Sequence, residues 1–250
     1  MILIVVLLIL SLSACSHPKQ ARVNVPPPPS AGELPAPESA ANLPPAKESP
    51  SKEETPDFAE PTIPANAYPL VIQTGMASWY GPPYHNRRGS NGEIYNMHAM
   101  TAAHRTFPLG SIVRVTNLKT GKTALVRITD RGPFIKGRIL DLSLAAAQKV
   151  DVWKAGVAQV RVELMVSPEP VDSGGKWAVQ IGGFPDEDEA SKLADHLTHR
   201  YHTAKVLRFS SPTGDWWIRV RVLDDDRERA QQLAAETTTS EGSVFLVRLD

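Results

Sequence analysis

The chain of 250 residues holds a single cysteine, Cys15. That excludes an intramolecular disulfide framework and any cysteine-cluster zinc or iron–sulfur site. Net charge is also missing, because 27 Lys and Arg balance 27 Asp and Glu. No global field therefore argues for nucleic acid as a partner. No apolar run reaches the roughly 20 residues of a spanning helix. Nothing in the sequence asks for a cofactor or a metal. Apolar residues at 42% and charged residues at 22% fit a folded soluble chain rather than a disordered one.

What is present is unevenly distributed. Residues 70–166 carry 13 Lys and Arg against five acids, a net +8, while the segments on either side are acidic. A basic centre between acidic flanks points to an anionic partner for the centre. Residues 1–10 are all apolar, and Ser11-Leu12-Ser13-Ala14-Cys15-Ser16 follows. An apolar stretch of about ten residues before small ones reads as a signal peptide. Leu12-Ser13-Ala14-Cys15 resembles the bacterial lipobox, which implies removal of residues 1–14 and lipidation of Cys15. Ser16 at the next position resembles lipoproteins sent to the outer membrane. Residues 15–69 hold 14 of the 22 prolines. Such a segment cannot bury enough apolar surface to offset its ordering entropy. It reads as a Pro-rich tether with a reach on the order of 150 Å.

Within 70–166 the strand signals are Ile112–Thr116, Ala124–Thr129 and Val160–Val166, with the turn Asn117-Leu118-Lys119-Thr120-Gly121 between the first two. One short helix is expected at Leu144–Val150, with Ser143 as its N-cap. Short strands with little helix suggest a β-barrel. The chemistry candidates stand beside Gly and Pro turns, where barrel rims carry function. They are Glu93 in Asn91-Gly92-Glu93, His104 in Ala102-Ala103-His104, and Asp130 in Asp130-Arg131-Gly132-Pro133. Asp130 shares strand parity with Val126 and Ile128, so its carboxyl is expected at the barrel mouth, where desolvation would favour an acid. Taken alone, His104 favours a satisfied structural histidine, and Asp130 an Asx-type turn. Trp79, Tyr80 and Tyr84 could stack on sugar faces or wall a core.

Four motifs, Gly75–Gly81, Ser90–Asn117, Val126–Phe134 and Arg138–Ala147, resemble in order and spacing the double-psi β-barrel of the rare lipoprotein A (RlpA) family. That resemblance implies a lytic transglycosylase of peptidoglycan, with Glu93, His104 and Asp130 at its active-site positions. Asn96 departs from the Asp common there. The implied chemistry has Asp130 as general acid and then base, His104 orienting it, and Glu93 stabilising charge or holding substrate. Trp79 and Tyr80 would touch the glycan.

Residues 167–173 read as a short linker rich in turn formers. From 174 a strand–helix–strand unit occurs twice: Trp177–Ile181, a helix over Asp186–Leu197 and Lys205–Phe209, then Trp217–Val222, a helix with Ala230, Leu233 and Ala234, and Val244–Val247. This predicts a ferredoxin-like βαββαβ sheet with both helices on one face and the other face open. The segment 174–250 resembles a SPOR module, which implies binding to peptidoglycan strands stripped of stem peptides. Gln180, Trp216 and Arg219 are candidates for its open face. His196, His199 and His202 drift around a helix rather than converging, so they do not suggest a metal site.

The expected protein is thus a mainly β plus α+β chain with five parts: signal (1–14), tether (15–69), six-stranded barrel (70–166), linker (167–173) and SPOR domain (174–250). The resemblance implies an endolytic lyase making 1,6-anhydro ends, anchored in the outer membrane and enriched at the division septum. Its partners would be glycan strands, the membrane through a lipid, and division-site proteins, with no nucleic acid. The alternative is a non-catalytic, expansin-like wall-binding protein.

Overall fold

A computed structural model of the protein describes residues 59–239 and 242–250. The signal peptide, Cys15 and most of the tether lie outside the described residues. Six strands form a closed barrel: β1 (Val71–Trp79), β2 (Thr101–His104), β3 (Ile112–Asn117), β4 (Thr123–Asp130), β5 (Arg138–Leu142) and β6 (Val157–Val166). Their order around the barrel is β1-β5-β2-β4-β3-β6. β1 runs parallel to β5 and β2 parallel to β4, while the other four pairings are antiparallel. Alternation along the strands puts Val113, Val115, Val126, Ile128, Val160, Val162 and Leu164 inside, with no exposed surface. Closure leaves no free edge.

The helix α1 (Leu144–Lys149) begins where expected, with the Ser143 hydroxyl accepting from the Ala146 amide at 3.1 Å. The Asn117 turn does more than reverse the chain. The Asn117 side-chain Nδ2 donates to the Val150 carbonyl at 2.9 Å and ties the β3–β4 hairpin to the end of α1. The tether boundary is less sharp than proline content suggests. Glu60 accepts from the Leu125 amide at 2.8 Å and pairs with Lys149 at 3.6 Å.

The second sheet has the order β10-β7-β9-β8, with β7 (Trp177–Phe184), β8 (Lys205–Ser210), β9 (Trp216–Arg221) and β10 (Ser243–Arg248). Helices α2 (Glu187–Arg200) and α3 (Arg227–Glu236) cover one face through Ala190, Leu197, Ala230 and Leu233. Three acids open α2, suiting its dipole. Asp226 caps α3 by accepting from the Arg229 amide. Gly182 has φ +153°, and a Cβ there would lie 2.7 Å from the Trp216 carbonyl oxygen, so only glycine fits this bulge. Among the described residues no helix is long and apolar enough to cross a membrane.

One expectation needs correction. The helix-free face of this sheet is not left open, because the barrel covers part of it. Strand parity puts Ala178, Gln180, Trp217, Arg219, Phe245 and Val247 on that face, and Gln180 is only 2% exposed. Phe134, just past the Asp130 turn, lies 5.5 Å from Trp217 and 5.8 Å from Phe245, ring centre to ring centre. Arg105 stands over Phe245 at 5.4 Å. Backbone bonds join Arg248 to Arg105 and Leu109 to Asp250. A face bearing Trp217, Phe245 and Val247 is too apolar to be left in water.

Asp141 on β5 is an acid largely enclosed by the barrel. Burial pushes its carboxyl up to about 6, against the opposing pull of Arg138, Ser78 and Arg105. Arg138 reaches Oδ2 at 3.2 Å, and among the described residues Oδ1 meets no donor in hydrogen-bonding geometry.

Two outcomes are expected. The Phe134→Ala variant loses about 2 kcal/mol of interdomain contact, so protease cleavage of the 167–173 linker should accelerate on the order of thirtyfold while both domains stay folded. The native Asp141 carboxyl holds a proton that the unfolded chain releases above about pH 4, so its contribution to stability is full below that pH and is lost as pH rises through about 6. The gap between Asp141→Asn and the parent in urea unfolding should therefore widen in the variant's favour by about 2 kcal/mol between pH 4 and pH 7. A gap constant with pH contradicts this.

Candidate active site

The end of β4 and the loop after β1 build one groove at the barrel rim. Ser90-Asn91-Gly92-Glu93 forms a tight turn: the Gly89 amide donates to the Glu93 carbonyl at 2.8 Å, and the Glu93 amide to the Asn91 side chain at 3.0 Å. The turn is stitched to β4 by the Asn91 amide on the Thr129 carbonyl, 3.2 Å. It is stitched again by the Ser90 amide, 3.0 Å, and the Ser90 hydroxyl, both donating to Asp130 Oδ1. The Arg131 amide adds a third donor to the same oxygen at 2.8 Å. Asp130 Oδ2 has no hydrogen-bond partner among the described residues. Glu93, Tyr95, Asn96, Thr101, Arg127 and Asp130 all line this groove.

The two acids are thus brought together in one groove, each with its own partners. Arg127 holds Glu93 with a two-pronged contact, 3.0 and 2.7 Å. Those hydrogen bonds lower the Glu93 carboxyl below its ordinary range, so it stays ionised. Asp130 stands half-buried at the end of β4. A register shift between Ala102 and Ala103, on the strand facing β4, accompanies its position at the half-buried strand end, where three donors surround one oxygen.

His104 does not contact the Asp130 carboxylate, which corrects the expectation that its ring orients that group. The ring is 3% exposed and stacks on Phe107 at 3.8 Å. Its Nδ1 accepts from the Thr106 and Phe107 amides at 3.2 and 3.0 Å, and Nε2 meets Gln73 at 3.2 Å. Burial, with Arg105 and Arg131 nearby, pulls its pKa down to about 3, so the ring is neutral. Its link to Asp130 runs through the backbone. Arg131 donates to the His104 and Phe107 carbonyls at 3.1 and 2.7 Å, and also to the carbonyl of Asp250.

The aromatic candidates are distributed differently from expectation. Trp79 donates to the Trp153 carbonyl at 3.2 Å and packs on the barrel core, away from the groove. Tyr80 stacks on Tyr95 at 4.3 Å, and it is Tyr95 that lines the groove. The Tyr80 hydroxyl is buried, with Thr129 near but outside hydrogen-bond geometry. Burial first, then Tyr95, Asp130 and Asp141, raise its pKa.

In the C-terminal domain Gln180 and Arg219 do share a face. Trp216 does not: it lies with Ile218 and Val220 on the helix side, beneath Arg208 at 5.7 Å, and the residue of the other parity, Trp217, meets Phe134. The ring of His199 bonds the Asp195 carbonyl, and among the described residues no three metal-ligating side chains converge. Ser90, Tyr95, Arg127 and Arg131 were not anticipated as site residues. Only Arg127 carried a signal, a cation on the outward parity of β4.

Residues 72–162 match the family model described as lytic transglycolase, and residues 173–248 match the SPOR domain. A protein of Campylobacter jejuni called endolytic peptidoglycan transglycosylase RlpA is 36% identical over 200 residues, 67% of this chain and 72% of that one. Proteins of the same name from Pseudomonas aeruginosa and Neisseria meningitidis are 52% and 46% identical over 148 and 140 residues. Those matches take in 59% and 55% of this chain, but only 42% and 59% of the relatives' lengths. With the barrel and the SPOR sheet present in the family's order, the chain belongs to the RlpA family of endolytic peptidoglycan transglycosylases.

Proposed function

We propose that the chain cleaves the link between N-acetylmuramic acid and N-acetylglucosamine in glycan strands lacking stem peptides, leaving 1,6-anhydro ends. One observation carries this reading: two carboxyls share a groove, one locked as an anion by Arg127 and the other keeping a free oxygen. Asp130 Oδ2 donates a proton to the bridging oxygen as the bond from the anomeric carbon breaks. The 6-hydroxyl of the same muramic residue then bonds to that carbon and gives its proton back to Asp130, which is regenerated. No water is consumed, so a second carboxylate is not required as a base. Ionised Glu93 stabilises positive charge at the anomeric centre. His104 is a positioning residue that holds the strand end against which Arg131 is fixed. The net +8 of the barrel suits an anionic glycan.

The lipobox-like Leu12–Cys15 and the Pro-rich segment support a lipid-anchored protein on a long tether, facing the periplasm from the outer membrane. The SPOR match supports enrichment where stripped glycan accumulates, at the septum beside division proteins. The five-part division of the chain is part of the same reading.

With detergent-solubilised full chain on amidase-stripped sacculi, mass spectrometry should find soluble fragments ending in anhydro-muramic acid. Asp130→Asn should lower their release by roughly 10²–10⁴-fold without changing the melting temperature by more than a few degrees. His104→Ala should instead cost about 3 kcal/mol of stability and under tenfold in rate per folded molecule. Reducing ends would indicate hydrolysis, and binding without release would favour the non-catalytic reading.

A further inference from the structure

The barrel has two unlike poles. β4 ends in Asp130, at the groove and the C-terminal sheet, and begins at Thr123, seven residues or roughly 23 Å away. At that far pole the turn 118–121 and the loop 151–156 stand side by side. The Asn117 side-chain Nδ2 reaches the Val150 and Asp151 carbonyls at 2.9 and 3.3 Å, and the Leu118 amide donates to the Gln159 carbonyl at 3.0 Å. The tips of this pole are apolar, with Leu118 44%, Trp153 39% and Val157 43% exposed. They are held out rather than folded in. Val152 is fully buried, Asp151 takes φ +62°, and the Gly156 amide closes the loop on the Val152 carbonyl at 2.9 Å, which leaves Trp153 outside. Lys119, Lys122, Lys149 and Lys154 share the pole. Lys122 pairs with Asp151 at 3.4 Å and Lys149 with Glu60 at 3.6 Å, whereas Lys119 and Lys154 make no ion pair among the described residues.

We propose that this pole is a membrane-contact face, on which Leu118, Trp153 and Val157 enter the headgroup region of an anionic phospholipid surface and Lys119 and Lys154 meet its phosphates. Protruding apolar tips beside lysines have the chemistry of that boundary, where an indole and an ammonium are both at home. A glycan fits less well, because the Lys154 ammonium already stands over the Trp153 ring at 5.6 Å. Three separate tips also fall short of the roughly 800 Å² per partner of a stable protein interface. The chain enters the described structure at this same pole, since Glu60 is fixed to Lys149 and to the third residue of β4. Residues that lead back to Cys15 therefore leave from the side that would rest on the bilayer. With that pole down, the groove and the SPOR sheet face away from the membrane. The inference goes beyond the transglycosylase reading and takes from the lipid-anchored reading only which surface is near.

The test uses the detergent-solubilised full chain reconstituted with vesicles of brominated phosphatidylcholine, alone or with about a third phosphatidylglycerol. Bromine quenches an indole that enters the bilayer, and subtracting the Trp153→Phe signal isolates Trp153 from the other tryptophans. Quenching of Trp153 should be severalfold stronger with phosphatidylglycerol. Each unpaired lysine is worth roughly fivefold at such a surface, so Lys119→Gln with Lys154→Gln should lower the ratio of face-bound to free chain on the order of twentyfold. Both lysines are exposed and distant from the groove, so the rate on soluble strands should stay at the parent's value. Equal quenching in the two vesicles, or quenching that ignores the lysine substitutions, overturns the face. Flotation with neutral vesicles separates this from the anchor. A chain that floats while Trp153 stays unquenched on both surfaces loses the face and keeps the anchor. A chain that fails to float overturns the anchor, and quenching on the anionic vesicles still decides the face.

Discussion

A single oxygen, Oδ1 of Asp130, ties the site together. Three donors converge on it, two from Ser90 and one from the Arg131 amide. Ser90 belongs to the loop that carries Glu93, so the same bonds that orient the acid also set the distance between the two carboxyls. The Asn91 amide on the Thr129 carbonyl repeats the stitch one residue away. The groove therefore exists only where a loop from one end of the barrel closes onto the last residues of β4. A carboxylate pinned through one oxygen keeps the other in a fixed direction, which suits the proton transfer proposed for it.

The opposite side of the same turn is held by Arg131. Its guanidinium is 7% exposed as a residue and satisfies carbonyls from the end of β2, from the loop after it and from the last residue of the chain. Such a fork suits several carbonyls at once, which a lysine would not. The two domains are in this sense a single structural unit around residues 130–134. Their separate sequence signatures hide how much of each is needed to hold the other.

Most of the fold was readable from periodicity. Val113, Val115, Val126 and Ile128 alternate as strands must, and Ser143 before three alanines is a plain helix start. The helices over 187–200 and 227–236 follow from their apolar spacing. The site was only half readable. Glu93 and Asp130 stand beside turns, and the resemblance to known sequences marked them, but the contacts that hold them come from Arg127 and Ser90, which are distant in the chain. The surroundings of His104 were not readable, because its ring meets Gln73 and Phe107, distant or bent back in the chain, rather than Asp130. Trp216 and Trp217 differ by one residue, and a strand places neighbours on opposite faces, so choosing between them required the β7–β9 register. The cover over the helix-free sheet face could not be seen at all, because docking between domains leaves no periodic mark.

The contact made by Glu60 has a mechanical meaning. It grips the Leu125 amide on β4 and the ammonium of Lys149. Any pull transmitted along the chain from the N-terminal side reaches the enzyme at this clamp before it reaches β1. The loaded strand is the one that ends in Asp130. In the lipid-anchored, glycan-bound molecule proposed above, such a force would run along the strand that carries the proposed acid.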